Sequence, residues 1–235
     1  MASEPHPKNR HAVKLLDLFC GAGGAAVGYS RAGFTDIVGV DIKPQKNYPF
    51  TFILGDALEY LAEHGREFNV IHASPPCQGY SIMRNLPWLR HKEYPLLIQP
   101  TRVLVEATGR EWVIENVMGA RLPAGWLCGT MFGLPFFRHR YFEASRLLLM
   151  PTHERHHGII RSSGARGSRA RDVVFTRSKH PNGASRNWAN VGHAAGVQAV
   201  RDAMGLNYMT QEEITQAVPP AYTEFIGRQL LAALG

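Results

Sequence analysis

Residues 13–24 limit the fold more than any other stretch. Val13-Lys14-Leu15-Leu16-Asp17-Leu18-Phe19 reads as a strand, Cys20-Gly21-Ala22-Gly23-Gly24 as a tight glycine-rich turn, and Ala25 to Ala32 as a small-residue helix closed by Gly33. A strand that runs through glycines into a helix opens a nucleotide-binding α/β fold. The glycines let backbone approach a ligand, and the helix start offers unbonded N–H groups to an anion. A glycine loop alone is weak evidence. Here a second strand, Ile37-Val38-Gly39-Val40, ends in Asp41, where such folds grip ribose hydroxyls. Asp41 also suits a helix N-cap.

The alternation continues. Phe52-Ile53-Leu54 is a third strand, Gly55-Asp56 follows it, and a helix runs from Ala57 to about Gly65 with Asp56 placed to cap it. Phe68-Asn69-Val70-Ile71-His72 is a fourth, buried strand. Ala73-Ser74-Pro75-Pro76-Cys77-Gln78-Gly79-Tyr80-Ser81 comes next. Neither proline can donate to a ladder, so the strand stops and Cys77 sits on a stiff loop at its carboxyl end, where open α/β sheets bind ligands. A cysteine after a strand is by itself more often a small buried apolar residue than a nucleophile.

Arg84 to Glu93 is polar and aromatic and reads as a loop. Pro95 to Thr108 is mostly helical, with a break or new start at Pro100. Trp112-Val113-Ile114 is a fifth strand that delivers Glu115-Asn116-Val117 at its end. If strands four and five are neighbours, Glu115 lies near Cys77; otherwise it is a surface charge. Asn116 suits a loop-capping role. Gly129 to Leu134 and Arg138 to Ala144 read as two further strands, the second placing Arg138 and Arg140 on one face. Two arginines there are either solvated or line a polar site.

Pro151 to Asn190 changes character. It is rich in Gly, Ser, Arg and His, with one apolar run, Val173-Val174-Phe175, and reads as an insertion with little core of its own. The formal net charge of +7 is concentrated here: Arg155 to Arg186 holds eight Lys or Arg against one acid, Asp172. That is either a solvated face or a phosphate-binding surface. His153, His156 and His157 lack a cysteine or carboxylate at ligand spacing, so no metal is expected. Helical patterning returns from His193, with Val197 to Met204, Gln211 to Gln216 and, after Pro219-Pro220, Ala221 to Leu234.

The three cysteines, Cys20, Cys77 and Cys128, form no CxxC pair and no disulfide framework, which fits a reducing compartment. No apolar run approaches the ~20 residues of a membrane span. Met1 to His11 carries no apolar signal core and reads as a loose tail. A cytoplasmic protein is expected.

Several motifs occur in one order. Asp17 to Gly24 is very similar to the first motif of the DNA cytosine-5 methyltransferases. Pro75-Pro76-Cys77-Gln78-Gly79-Tyr80-Ser81 resembles their catalytic loop, with Tyr80 where Phe is usual, and Glu115-Asn116-Val117 resembles their Glu-Asn-Val motif. Arg138-His139-Arg140 resembles the end of Gln-x-Arg-x-Arg, with Phe136 in place of the Gln. Ala217-Val218-Pro219-Pro220 resembles the last motif, with Thr215-Gln216 for the usual Gly-Asn. The resemblance spans residue 13 to about 232.

That resemblance implies an S-adenosylmethionine-dependent, Rossmann-like α/β fold with a mostly parallel seven-stranded sheet and a small target-recognition insertion. The implied parts are a tail over 1–12, a catalytic domain over 13–150, a basic target-recognition region over 151–190, and a C-terminal segment over 191–235 that returns to the catalytic domain. It implies S-adenosyl-L-methionine as cofactor, S-adenosyl-L-homocysteine as product, and transfer of a methyl group to C5 of a flipped-out cytosine through a covalent Cys77 adduct. Glu115 would serve N3, and Arg138 and Arg140 the O2 side. Phe19, Gly21, Gly23, Gly24, Asp41, Ile42, Asp56, Pro76 and Val218 would hold the cofactor. Gln78, Ser81, Arg84, Arg161, Arg166, Arg169 and Arg171 would contact double-stranded DNA. A monomer is expected, with room for a cognate restriction enzyme as a partner. A tRNA cytosine-5 methyltransferase and a silent nucleic-acid-binding relative remain alternatives. A dinucleotide oxidoreductase would leave Pro-Pro-Cys and Glu-Asn-Val unexplained.

Overall fold

The computed structural model describes residues 13–81, 87, 91–123, 125–134, 136–153, 175–179, 185–190 and 197–234. The strands are β1 (Lys14–Leu18), β2 (Asp36–Asp41), β3 (Thr51–Leu54), β4 (Val70–Ala73), β5 (Glu111–Val117), β6 (Gly125–Leu127), β7 (Phe136–Phe137), β8 (Arg140–Ala144), β9 (Phe175–Lys179) and β10 (Ser185–Asn190). The helices are α1 (Gly24–Ala32), α2 (Ala57–His64), α3 (Ile98–Thr108), α4 (Val197–Met204), α5 (Gln211–Gln216) and α6 (Pro220–Leu234).

Seven strands form one sheet in the order β3-β2-β1-β4-β5-β8-β6. The first five are parallel, β8 is antiparallel to β5, and β6 is antiparallel to β8. The expected sheet is therefore present, and its mostly parallel character fits β1, β4 and β5 being buried on both faces. Alternate residues feed opposite layers. Leu15, Val70 and Val113 face Tyr29 of α1 and Tyr222, Ile226 and Leu230 of α6. Leu16, Ile71 and Ile114 face Leu61 of α2 and Val105 of α3.

The strand order reverses between β1 and β4, which leaves a crevice beyond their carboxyl ends. Both sequence motifs open there: the glycine loop follows β1 and the Pro-Pro-Cys loop follows β4. On the other layer α6 lies tight against α1. A Cβ at Gly28 would come within 2.0 Å of Thr223 Oγ1 and 2.2 Å of Pro220 O, so only glycine permits this crossing. Thr223 Oγ1 then donates to Ala25 O at 2.8 Å. A third apolar cluster, with Val200, Met204, Leu206, Met209 and Ile214, joins α4 and α5 to Ala22 and Phe136.

Several elements differ from the sequence-based expectation. Gly129 to Leu134 is not a strand: Gly129–Phe132 forms a 3-10 turn, closed by Gly133 at φ 68°. Arg138 and His139 lie between β7 and β8, so the strand expected over Arg138 to Ala144 begins only at Arg140. Of the two readings at Pro100, the new start holds: α3 begins at Ile98 and the proline falls in its first turn, where an N–H has no intrahelical acceptor. Within the insertion, β10 pairs antiparallel to β9 and parallel to β7, forming a second, three-stranded sheet.

Candidate active site

The Pro-Pro-Cys loop is fixed at both ends. At its start Ser74 N donates to Leu18 O at 3.1 Å, tying the loop to β1. Asn116, from β5, donates its Nδ2 to Pro75 O at 2.8 Å from a fully buried position, and its Oδ1 accepts from Val117 N. Asn116 thus has the loop-capping role its position suggested. After the cysteine, Tyr80 N and Ser81 N both donate to Cys77 O, at 3.0 and 2.9 Å. The Tyr80 hydroxyl accepts from Ile98 N at 3.0 Å, capping the otherwise uncapped start of α3. A phenylalanine there could not make that bond.

Three chemical groups converge on this loop. Glu115, at the end of β5, is buried, with Oε1 2.9 Å from Arg140 Nε. Burial pushes its carboxyl above the usual carboxylate range, opposed by Arg140, the Ser74 hydroxyl and Arg138. Burial also raises the Cys77 thiol; Arg140 is the largest influence in the other direction, while Glu115 adds to the rise. Arg138 is buried and lowered to about 9, by desolvation first and by Arg140 second. It anchors the C-terminal segment, donating Nη2 to Thr215 O at 2.7 Å and accepting from the Tyr222 hydroxyl at its own carbonyl, 2.6 Å. Arg138 and Arg140 both turn toward the same site although no continuous strand carries them.

A buried relay leads away from Glu115. The Ser74 hydroxyl that bonds the carboxyl also lies 3.0 Å from His72 Nε2, and His72 Nδ1 lies 3.0 Å from the Tyr29 hydroxyl. His72 is fully buried, and desolvation lowers its pKa to about 3, so it stays neutral and in either tautomer bonds at both nitrogens. Sequence reading did not single out Ser74, His72 or Tyr29. The signal was present: a histidine inside an apolar strand, directly before the loop.

The second part of the crevice surrounds the glycine loop. Phe19 (φ 56°) and Gly21 (φ 49°) adopt left-handed backbone, which a non-glycine residue seldom does outside functional turns. A Cβ at Gly21 would meet nothing within 4 Å, so this side of the loop faces open space. At Gly24 a Cβ would instead come within 2.6 Å of Val218 O, so the loop's other side is closed by the buried Val218 segment. Asp41 Oδ2 accepts from Gly21 N at 3.0 Å and its Oδ1 from Lys43 N at 2.9 Å. Asp56 caps α2, its Oδ1 accepting from Leu58 N and Glu59 N. Beside them Ile42 is 69% exposed, an apolar side chain without a protein cover. Gly23 is buried, Pro76 half-buried, Gln78 exposed and Ser81 half-buried. Arg84, Arg161, Arg166, Arg169 and Arg171 lie outside the described residues, as do His156, His157, Val173, Val174 and residues 1–12.

Asp17, also overlooked, is fully buried between these parts. Tyr48 donates to its Oδ2 at 3.2 Å, and burial holds its carboxyl well above the usual range.

With that geometry in view, the likeness to known proteins is specific. Residues 13–124 match the family described as C-5 cytosine-specific DNA methylase. The Type II methyltransferase M.XorII of Xanthomonas oryzae is 32% identical over 119 residues, covering 44% of this chain and 28% of that protein. M.FnuDI of Fusobacterium nucleatum is 33% identical over 113 residues, covering 46% of this chain and 33% of that protein. The matched part thus spans about a third of these relatives' length. Among solved structures, a prophage-encoded E. coli protein described as a DNA modification methyltransferase superposes with a TM-score of 0.60 at 15% identity, covering 94% of this chain and 99% of that one. The S. pombe Dnmt2 methyltransferase does so at 0.56 and 14% identity, covering 95% of this chain and 99% of that one. These two likenesses concern the fold, and extend it through the C-terminal segment.

Proposed function

We propose that this chain methylates C5 of cytosine in double-stranded DNA, using S-adenosyl-L-methionine and a transient bond to Cys77. The observation that carries the reading is the meeting of Cys77, Glu115 and Arg140 at the carboxyl ends of β4 and β5, beside a glycine loop with one open face.

The residues fit the cofactor. Gly21 faces the open space that its methionine end would take; Gly23, Gly24, Pro76 and Val218 are the further residues of this reading. Each Asp41 oxygen uses one lone pair on a backbone N–H, leaving the other for a ribose hydroxyl. Phe19 and the exposed Ile42 offer apolar contact to adenine, and Asp56 Oδ2 an acceptor for its amino group. When bound, the cofactor supplies an electrophilic methyl group and leaves as S-adenosyl-L-homocysteine.

C5 of cytosine is a poor nucleophile. The Cys77 thiolate adds at C6, and the ring becomes an enamine with density at C5; one difficult step becomes two easier ones. Arg140 favours the thiolate against the burial that opposes it. Negative charge then develops toward N3 and O2. Glu115, whose carboxyl burial raises, shares a proton with N3, and Arg140 holds the O2 side. After C5 takes the methyl group, its proton passes to solvent, the C6–S bond breaks to restore the Cys77 thiolate, and N3 returns its shared proton to Glu115. Ser74 and His72 hold the Glu115 carboxyl in position throughout. The reacting atoms are inaccessible in a stacked duplex, so the base must swing out. Gln78 and Ser81, with Arg84 and the Arg161, Arg166, Arg169 and Arg171 cluster, are the DNA contacts in this reading, and the enzyme is a cytoplasmic monomer.

The test is transfer of labelled methyl from S-adenosyl-L-methionine to unmethylated duplex DNA, beside RNA, with wild type and Cys77→Ala. Label in DNA that disappears in Cys77→Ala is the expected result. Label confined to RNA would move the substrate, and label unaffected by Cys77→Ala would remove the mechanism.

A further inference from the structure

The sequence offers no metal-ligand spacing, yet folding gathers one set of ligands. The Sγ of Cys128 and one nitrogen each of His139 and His153 lie within 4.8 Å of one another. They come from three separate places. Cys128 follows β6 and is buried, His139 lies between β7 and β8, and His153 lies past the end of β8. The two imidazoles stand 5.6 Å apart, centroid to centroid, and Trp126 packs on both, at 5.2 Å from His139 and 4.6 Å from His153.

We propose that Cys128, His139 and His153 bind a zinc ion, with water completing a tetrahedron. One thiolate and two imidazoles form a borderline-soft donor set that suits Zn(II) and disfavours Mg(II) or Ca(II). Tetrahedral bonds of ordinary length would set the donor atoms roughly 3.3–3.7 Å apart, so they need to draw together by only about an ångström. Binding replaces the Cys128 thiol proton, which passes to solvent, and the Thr130 hydroxyl, which already donates to the sulfur at 3.3 Å, goes on donating to the thiolate. The Trp126 indole shields one side of the ion and fixes both rings.

The location gives the ion a purpose. His139 stands between Arg138 and Arg140, and its own carbonyl accepts from Arg140 Nη1 at 2.9 Å. An ion held by His139 therefore stiffens the backbone that presents both arginines to Cys77 and Glu115. His153 lies two residues before Arg155, where the basic stretch begins, so the same ion ties the root of that stretch to the seven-stranded sheet. This inference does not depend on the reaction proposed above.

The experiment uses the full chain, stripped of metal and titrated with Co(II), then with Zn(II). The expected result is one cobalt per chain, with the intense visible bands of tetrahedral cobalt and a sulfur-to-cobalt charge-transfer band, both removed by zinc. Cys128→Ser should lose the sulfur band. His153→Ala, at a half-buried position that leaves the core intact, should weaken binding by at least on the order of 100-fold, beyond what loss of an outer partner costs. Circular dichroism of each variant separates loss of a ligand from loss of the fold. No cobalt bands in folded wild type would overturn the proposal. So would bands that persist unchanged in both folded variants, since the metal would then sit elsewhere.

Discussion

At the scale of single residues, the site is an arrangement of burial against charge. Glu115 and Cys77 are both pushed toward their neutral forms by desolvation, and Arg140 opposes both shifts. One guanidinium thus acts on the carboxyl and the thiol together. Behind them His72 is neutral because it is buried, and this has a consequence for stability. Its pKa is about 3 in the fold against 6.5 when exposed, so the unfolded chain binds the extra proton as pH falls. The stabilisation is complete above pH 6.5 and is lost as pH falls toward 3, with a slope approaching about 1.4 kcal/mol per pH unit inside that window. Asp17 and Glu115, whose carboxyls are raised, act in the opposite sense and flatten the total. The difference between wild type and His72→Gln isolates the histidine. Urea midpoints measured from pH 7 to pH 4.5 should fall faster in wild type than in the variant. Parallel curves would mean that His72 is not held neutral.

Elements show how much of this was legible. The parallel strands, the glycine loop, the Pro-Pro-Cys loop and the terminal helices follow from apolar runs and from punctuation by glycine and proline, which are local signals. What was misread depended on contacts distant in sequence. Gly129–Phe132 has strand-like composition, but its two flanking glycines and the Cys128 cap turn it into a 3-10 turn. The strand at Phe136–Phe137 was not foreseen, because its partner β10 comes more than forty residues later. The relay through Ser74, His72 and Tyr29 needs α1 and β4 to be adjacent in space. Asn116, by contrast, could be read as a cap because its partner loop follows from the strand order. The α1–α6 crossing makes the sharpest prediction at this scale. Gly28→Ala puts a methyl against Thr223 Oγ1 and Pro220 O, both part of the interface itself. It should cost about 1–3 kcal/mol and lower the melting temperature by several degrees. Gly21→Ala, facing open space but at positive φ, should cost about 1–2 kcal/mol and impair cofactor binding more than its stability loss explains. Thermal melts and cofactor titration of the two variants check both points; equal binding losses in both would contradict the assignment of the open face.

Over the whole molecule, the strand reversal between β1 and β4 makes one crevice from two loops, and β5 and β8 close one side of it with an acid and its arginine. The C-terminal segment reaches back to this crevice three times: Thr215 O accepts from Arg138, the Val218 segment closes on the glycine loop, and Tyr222 bonds the Arg138 carbonyl. The proposed reaction therefore rests on one chemical event in that crevice, the bond it assigns from Cys77 to the base. It is tested most directly with duplex DNA carrying 5-fluorocytosine. Fluorine at C5 cannot leave as a proton does, so after methyl transfer the C6–S bond cannot be released. Wild-type protein with S-adenosyl-L-methionine should form a complex that survives denaturation, and peptide mass analysis should place the DNA on Cys77, with none formed by Cys77→Ala. Methylation of ordinary duplex without any such trapped complex, or a complex attached at another residue, would contradict the account.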